Sequence, residues 1–383
     1  MLISRPKTLS WKRRTVYAAT VYLLFLLLLL AVEIVTRLAL PNISSLDLFV
    51  NTPQQKAQVA DPKQSGIFEG DPLLLWRLKP NLDRVYWDFT PVSTNSTHLR
   101  IAPPDLRINL QGLRSDHVIT SKAPGTIRIV CLGDSVTFGY RVPPVWPERR
   151  TDYDPTWLPY PMLLEKHLRD ANPGREIEVI AMAVPGYTSH QGLAWLKRDI
   201  AWLAPDLVTV SFGWNDASFS DVPDRESMRI NWSAVLTRWM VDHSQAFAHA
   251  TKWLRSRNDQ TPAQRTPVPR VSEQEYVDNM TQIVKLARER GAGAIVIGAP
   301  YRDRVTNPTE AELMTRYRSA LRQTIHFLEI RELTESAHPA NEGWFGELIH
   351  PNHMGHRLIT AELCKLLQSN SLPHGVKVPQ FIP

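Results

Sequence analysis

A serine, a histidine and an acid occur in this sequence in settings that suit nucleophilic catalysis. Ser135 stands in a Gly-Asp-Ser segment directly after an apolar run, and His350 stands in Glu-Leu-Ile-His-Pro near the C-terminus. A serine hydroxyl is a weak nucleophile until a neighbouring imidazole accepts its proton. An acid three residues before the histidine can bond its Nδ1 and fix the tautomer. We therefore predict acyl transfer, with Ser135 as nucleophile, His350 as base and Glu347 as orienting acid.

Acyl transfer also needs donors for the oxyanion of the tetrahedral intermediate, about 2.7–3.1 Å from it. The backbone N–H groups of Ser135 and Gly186 and the side-chain amide of Asn215 follow three separate apolar runs. Glycine at 186 lets the backbone approach a substrate closely. We predict these three groups as the oxyanion hole. Asp134 and Asp216 are interpreted as structural, because short carboxylates tie turns by accepting backbone N–H bonds.

A metal site is the alternative interpretation of the histidines. His350, His353 and His356 are spaced three apart, but on a helix these positions spread over about 120°, and the proline after His350 interrupts the helix. A metal site would also require a cluster of acidic residues as ligands, and no such cluster accompanies these histidines. We favour capping and packing roles for His353 and His356, and we predict no metal and no cofactor. Cys131 and Cys364 are interpreted as buried small hydrophobes.

The catalytic groups must be positioned by the elements around them. Five apolar runs predict strands, at residues 127–132, 177–184, 207–212, 294–299 and 327–333. Five segments with apolar spacings of three and four predict helices, at residues 161–169, 191–203, 274–290, 310–322 and 352–367. Alternating strands and helices favour an α/β fold with a parallel sheet and helices on both faces. In such a sheet the loops after the strand C-termini line one crevice. Ser135, Gly186 and Asn215 stand in such loops, and Glu347 and His350 stand just before the last predicted helix.

Taken in order, these segments resemble the SGNH/GDSL hydrolase superfamily, whose name letters denote its Ser, Gly, Asn and His. The matching residues here are Ser135, Gly186, Asn215 and His350, and the resemblance covers roughly residues 126–367. It implies a flavodoxin-like three-layer α/β/α fold and metal-free ester hydrolysis. The superfamily usually has aspartate three residues before the histidine. Because Glu347 is one methylene longer, a Ser–His dyad oriented by a carbonyl group is an alternative to a triad.

The N-terminus carries a basic segment followed by a long apolar one. Five basic residues precede residue 15, and residues 16–32 contain no charge. Residues 16–36 would form a helix of roughly 31 Å at about 1.5 Å per residue, which matches a hydrocarbon core of about 30 Å. We favour an uncleaved transmembrane anchor at 16–36 over a cleaved signal peptide, which has a shorter apolar region. The basic flank at 1–15 predicts a cytoplasmic N-terminus and an outward-facing catalytic domain, periplasmic in a bacterium. Glu33 is expected near the far interface.

The net charge of +6 does not indicate nucleic-acid binding. The chain has 44 Lys and Arg residues against 38 Asp and Glu, and without the five basic residues at the N-terminus it retains 39 against 38. A protein that binds nucleic acid through bulk charge concentrates basic residues on its folded domain. We predict no nucleic-acid partner.

The sequence predicts further divisions of the chain. Residues 37–125 are interpreted as a stalk and a small β-rich accessory segment, residues 126–370 as the hydrolase domain, and residues 371–383 as a tail. Two insertions, 142–160 and 217–271, interrupt the α/β pattern. The second places Trp232, Leu236 and Trp239 on one helical face. We favour packing of these side chains within their own domain, and a lid or substrate rim is the alternative.

Three functions fit these predictions. The favoured one is a membrane-anchored esterase that removes a small acyl group, such as acetyl, from an envelope carbohydrate or lipid. The second uses the same site to transfer the acyl group to a glycan hydroxyl, which exclusion of water would favour. The third is a non-catalytic binding module of an envelope assembly, which the complete Ser, Gly, Asn and His set argues against.

Overall fold

The structure is a computed structural model that describes most of the chain. The described residues are 10–50, 67–85, 90–91, 106–140, 142, 157–229, 231–258, 266–300, 307–325, 327–328, 344–345, 349–369, 372 and 375–382. Within them the strands are β1 Phe68–Asp71, β2 Leu75–Leu78, β3 Leu82–Val85, β4 Thr90–Pro91, β5 Leu106–Ile108, β6 Ile127–Gly133, β7 Ile177–Ala183, β8 Leu207–Ser211, β9 Phe219–Ser220, β10 Val268–Pro269, β11 Gly293–Ile297 and β12 Phe327–Leu328. The helices are α1 Trp11–Ala39, α2 Ser45–Phe49, α3 Ser135–Phe138, α4 Tyr160–Ala171, α5 Ser189–Leu203, α6 Trp214–Ala217, α7 Asp224–Ser227, α8 Trp232–His243, α9 Gln245–Asn258, α10 Glu273–Glu289, α11 Pro308–Arg322 and α12 His353–Ser369.

Five of the described strands form a parallel sheet in the order β12-β11-β8-β6-β7. Strand β6 pairs with β7 along its whole length and with β8 from Ile129 to Gly133. Counted along the chain, this order is 2-1-3-4-5, the doubly wound order of flavodoxin-like folds. The predicted fold class is therefore confirmed. Four predicted strands match β6, β7, β8 and β11 to within two residues at each end; of the fifth, residues 329–333 lie outside the described residues.

Successive residues of β6 enter two different hydrophobic clusters, one on each face of the sheet. Ile127, Ile129 and Cys131 pack with side chains of α4 and α12. Val130 and Leu132 pack with side chains of α5, α10 and α11. A strand covered by helices on both faces reads as a continuous apolar run, which explains the pattern seen in the sequence. The result is the three-layer α/β/α arrangement.

The β-rich segment before the sheet packs against the turn that joins β7 to α5. The Trp76 indole donates to the carbonyl oxygen of Pro185 at 3.4 Å, and the amide of Gln191 donates to that of Leu74 at 2.8 Å. The Tyr187 hydroxyl donates to the carbonyl of Trp76. Leu74 and Trp76 belong to the same buried cluster as the central strands. This segment therefore braces one of the loops that carry candidate site residues.

Helix α1 contains the predicted anchor at 16–36 and extends beyond it at both ends. By length and composition it could cross a membrane, and none of its residues is buried. Its C-terminal part contacts α9, while α8 contacts α2 and β1. The insertion at 217–271 thus connects the apolar helix to the rest of the described structure.

The aromatic side chains of that insertion are not packed in a core. Trp232, Trp239 and Trp253 are 77%, 48% and 53% exposed. The favoured prediction that these side chains pack within their own domain is therefore wrong. The side of α8 that is buried carries Arg238 and Val241 instead, so the apolar stripe faces outward.

Candidate active site

Ser135 occupies the first turn of a four-residue helix, α3, that begins directly after strand β6. Its neighbour Asp134 accepts a hydrogen bond at 2.9 Å from the backbone N–H of Val136 and so caps α3. A Cβ atom on Gly133 would lie 2.1 Å from the Thr137 hydroxyl oxygen, so the tight turn requires glycine there. Ser135 is 6% exposed, and it lies at the positive end of the short helix.

His350 lies beside Ser135 although the two are 215 positions apart in the chain. The distance from His350 Nε2 to Ser135 Oγ is 2.8 Å. The loop that carries the histidine is held because the N–H of Asn352 donates to the carbonyl of Trp344 at 2.9 Å. The ring of Tyr140 lies 4.7 Å from the imidazole, centre to centre. The structure thus brings the two predicted reacting groups within hydrogen-bond distance.

Glu347 lies outside the described residues, as do residues 143–156 of the first insertion. The prediction that Glu347 is the orienting acid therefore stays a prediction, and a Ser–His dyad stays its alternative.

Gly186 follows β7 and adopts a backbone conformation that favours glycine. Its φ is +85°, in the left-handed region that costs other residues about 1–2 kcal/mol. The guanidinium of Arg270 donates to the carbonyl oxygen of Gly186 at 2.9 Å. This contact fixes the orientation of the peptide that follows Gly186.

Asn215 links two of the loops that carry candidate residues. Its side-chain amide donates to Asp134 Oδ2 at 3.2 Å and to the carbonyl of Tyr187 at 3.0 Å. These acceptors are the immediate neighbours of Ser135 and Gly186, so the three predicted oxyanion donors lie on adjacent turns. Both amide hydrogens already have acceptors.

Two buried carboxylates support these turns, as the sequence predicted. Asp134 caps α3, and Asp216 accepts from the backbone N–H of Ser189 at 3.0 Å and from its hydroxyl. Burial raises the pKa of Asp134 to about 7, with the Asp216 charge acting in the same direction. Burial also raises the pKa of Asp216 to about 7, against the hydrogen bonds from Ser189 and the charge of Arg270. The prediction that the carboxylate ties its own turn is confirmed for Asp134, whereas Asp216 bonds Ser189 at the start of α5 and so links its turn to a different one.

The other two histidines of the His350 segment have separate surroundings. The imidazole of His353 stacks on Trp157 with ring centres 3.8 Å apart. His356 accepts from the backbone N–H of Tyr160 at 3.1 Å, and burial lowers its pKa to about 3. Among the described residues no group of three His, Cys, Asp or Glu side chains is placed to hold a metal ion. Cys131 and Cys364 are buried, as predicted.

Two arginines that support the site were missed. Arg270 forms a buried ion pair with Asp224 at 2.9 Å, and both side chains are at most 2% exposed. Arg114 donates to the carbonyls of Phe138 at 2.6 Å and Gly139 at 2.9 Å, at the C-terminal end of α3. The one feature of the sequence that could have indicated Arg270 is its position between two apolar neighbours. Nothing in the sequence near Arg114 indicates its role.

A family model described as GDSL-like Lipase/Acylhydrolase family matches residues 131–358. No curated protein matches the sequence. The chain is similar to the solved structure of a lipase/acylhydrolase from Enterococcus faecalis, with 19% identity, a TM-score of 0.38, and coverage of 66% of this chain and 99% of that one. It is also similar to a GDSL-like lipase from Bacteroides thetaiotaomicron, with 13% identity, a TM-score of 0.38, and coverage of 66% and 93%. For the acetylxylan esterase Axe2 from Geobacillus stearothermophilus the identity is 15%, the TM-score 0.40, and the coverage 64% and 95%.

Proposed function

This chain belongs to the GDSL-like lipase/acylhydrolase family and is an ester-hydrolysing enzyme, and from that premise we propose that Ser135 is its nucleophile and His350 its general base. The 2.8 Å contact between Ser135 Oγ and His350 Nε2 carries this proposal. A base must lie within about 2.6–3.2 Å of the group whose proton it takes, and this contact satisfies that requirement before a substrate binds.

The reaction then proceeds in two steps. Ser135 Oγ attacks the ester carbonyl carbon while its proton moves to His350 Nε2, and the carbonyl oxygen becomes an oxyanion bonded by the N–H groups of Ser135 and Gly186 and the amide of Asn215. Collapse of this intermediate breaks the ester C–O bond, and the leaving alcohol takes the proton from His350. A water molecule next attacks the acyl carbon while its proton moves to His350; the bond between that carbon and Ser135 Oγ then breaks, Ser135 Oγ takes the proton back from His350, and the carboxylic acid is released.

We propose a small acyl group, such as acetyl, as the group removed. The exposed fractions of Ser135 and His350 are 6% and 8%, so little of either reacting side chain is open to solvent. A short acyl chain fits this restriction better than a long one. Since α1 is long and apolar enough to span a bilayer, we propose an outward-facing catalytic domain that acts on an envelope carbohydrate or lipid.

Transfer of the acyl group to a glycan hydroxyl is the second candidate. The same near-complete burial of Ser135 and His350 favours it, because exclusion of water protects the acyl-enzyme from hydrolysis. Chemically only the second step differs, with a sugar hydroxyl in place of water.

The test is hydrolysis of p-nitrophenyl acetate by the full chain in detergent. Ser135→Ala should lower the rate at least about a thousandfold without changing the thermal midpoint by more than a few degrees. Ser121→Ala is the matched control, because Ser121 is exposed and precedes the opposite end of β6. Full activity in Ser135→Ala would reject both hydrolysis and transfer at this site. With an added glycan acceptor, acetylated glycan forming faster than free acetate would decide for transfer.

A further inference from the structure

The end of the apolar helix α1 is joined to the start of helix α9 by one carboxylate. Glu33 accepts hydrogen bonds from the hydroxyl of Ser244 at 2.8 Å and from the backbone N–H groups of Gln245 at 2.9 Å and Ala246 at 3.0 Å. Arg37, one turn further along α1, donates to the same carboxylate at 2.6 Å. The first N–H groups of a helix have no partner within it. Glu33 therefore caps α9 and fixes its start against α1.

This junction lies at the level where the apolar part of α1 reaches water. Residues 16–32 carry no charge, and they span roughly 26 Å as a helix at about 1.5 Å per residue. Apolar residues continue to be exposed past Glu33, with Val35 at 61% and Leu38 at 83%. A bilayer core of about 30 Å around α1 therefore ends near the start of α9. Helix α8 also ends at this junction. The carbonyl oxygen of its last residue, His243, accepts a hydrogen bond from Arg37 at 3.1 Å.

The two helices at this junction expose large apolar side chains. On α8, Leu236 and Trp239 are 36% and 48% exposed; on α9, Trp253 and Leu254 are 53% and 55% exposed. These four residues are called the juxtamembrane surface below. Tryptophan side chains are enriched where membrane and water meet.

The charge of α9 suits contact with an anionic membrane surface. Residues 245–258 contain Lys252, Arg255 and Arg257 and no acidic residue. The Arg257 guanidinium lies over the Trp253 ring at 4.1 Å, and that of Arg255 over the Phe49 ring at 4.9 Å. Basic residues beside Trp and Leu on an amphipathic helix are typical of helices that lie in the headgroup region of anionic membranes.

We propose that α8 and α9 rest on the bilayer that α1 spans, with the juxtamembrane surface in the headgroup region and Lys252 and Arg257 beside anionic lipids. This inference rests on the proposed membrane span of α1. It adds a second attachment, which holds the catalytic domain against the membrane independently of the chain that follows α1.

The test uses the full chain in nanodiscs of phosphatidylcholine and phosphatidylglycerol. Nitroxide labels are attached to the single variants Leu254→Cys and Leu236→Cys, which keep both tryptophans. Collision rates with oxygen, which concentrates in lipid, and with a water-soluble nickel chelate are compared for each label. Native Cys131 and Cys364 are buried and are expected not to react. Oxygen should dominate at positions 254 and 236.

Two control labels separate this inference from the proposed anchor. Phe25→Cys lies in the middle of α1, and Lys285→Cys lies on the exposed side of α10. If position 25 contacts lipid and either 254 or 236 behaves like 285, the inference is overturned while the anchor stands. If position 25 itself contacts water, the anchor fails and this inference fails with it. A label at 254 or 236 shielded from both reagents would indicate a protein partner and would also overturn the inference.

The headgroup contact has its own test. Lys252→Gln/Arg257→Gln should raise the collision rate of the nickel chelate with the 254 label about threefold, because each charge near an anionic surface adds to binding. Nanodiscs of phosphatidylcholine alone should have the same effect on the unchanged chain. Lys285→Gln/Arg288→Gln, on α10, should leave the rate unchanged. No response to either the double variant or the neutral lipid would overturn the proposal that anionic lipids are bound.

Discussion

The guanidinium of Arg270 donates a 2.9 Å hydrogen bond to the carbonyl oxygen of Gly186, whose own N–H is a proposed oxyanion donor. Arg270 is held in turn by the buried carboxylate of Asp224, at 2.9 and 3.1 Å. Asp224 also accepts from the hydroxyl of Thr188 at 2.7 Å. The orientation of the Gly186 turn therefore depends on an ion pair from the insertion between β8 and β11.

Arg270→Met should destabilise the protein by about 3–5 kcal/mol, because it leaves a buried carboxylate without its partner. Arg270→Met/Asp224→Asn should recover most of that stability, since no charge is then left buried. Activity should stay at least about tenfold low in the double variant, because small misplacements of catalytic groups slow the reaction strongly. Urea unfolding and kcat/KM of the two variants check this. Full activity in the stable double variant would show that Arg270 does not position Gly186.

Arg114→Lys should reduce both stability and kcat. Arg114 donates to three carbonyls, those of Phe138, Gly139 and Val142, and a lysine ammonium cannot reproduce this planar fork. Each buried carbonyl left without a donor costs about 1–3 kcal/mol. Thermal unfolding and kcat for p-nitrophenyl acetate are the measurements. Arg107→Lys, at a more exposed position on β5, is the matched control; equal effects at both positions would contradict the role of Arg114.

Asp216 should make stability fall as pH rises from about 4 to 7. Its pKa is raised in the fold from 3.8 to about 7, so the folded state binds a proton that the unfolded state releases in this range. Stability is full below the lower pKa and is lost as pH rises through the higher one. His356, with its pKa lowered from 6.5 to about 3, has the opposite dependence.

The contribution of Asp216 to stability is therefore measured as the difference between a variant and the unchanged chain. The thermal midpoint of Asp216→Asn relative to the unchanged chain should rise between pH 4 and pH 7 and level off above. Asp170→Asn, at an exposed position on α4, is the control for loss of a surface carboxylate. A constant difference for Asp216→Asn would mean that Asp216 is ionised throughout the range.

Glu347→Gln tests the orienting acid of the proposed triad. Replacing the aspartate of a trypsin-type triad by its amide lowers kcat about 10⁴-fold. A loss of less than about tenfold in this variant would favour the Ser–His dyad, in which a carbonyl group orients the imidazole. A loss near 10³-fold or more would assign Glu347 as the acid. His167→Ala, a change of a histidine outside the described site, should leave kcat unchanged.

The place of Ser135 could be predicted because it follows a recognisable local pattern, whereas His350 is identified from the residues around it and from the resemblance to a known superfamily. An apolar run that ends in a glycine turn predicts a strand end, and parallel strands place such ends at one edge of a sheet. The approach of Arg270 to Gly186 has no such pattern. An ion pair between residues 46 positions apart leaves no periodicity in the sequence.

The aromatic stripe of α8 shows a second limit. Trp232, Leu236 and Trp239 repeat at helical spacing whether they face a core or another apolar medium. Periodicity reveals that one side of a helix is apolar, but it does not reveal what that side contacts. In the structure the buried side of α8 carries Arg238, and the apolar stripe is exposed.

For the membrane-anchored enzyme proposed above, the bond between Glu33 and the start of α9 has a mechanical consequence. A catalytic domain on a flexible linker would move through a large volume and would encounter esters at many distances from the lipid. In the proposed arrangement the last turns of α1 hold the domain directly through Glu33, which would restrain rotation about α1 and keep Ser135 at a nearly constant distance from the lipid. Selection among esters in the surrounding layer would then depend on where they lie as well as on their chemistry.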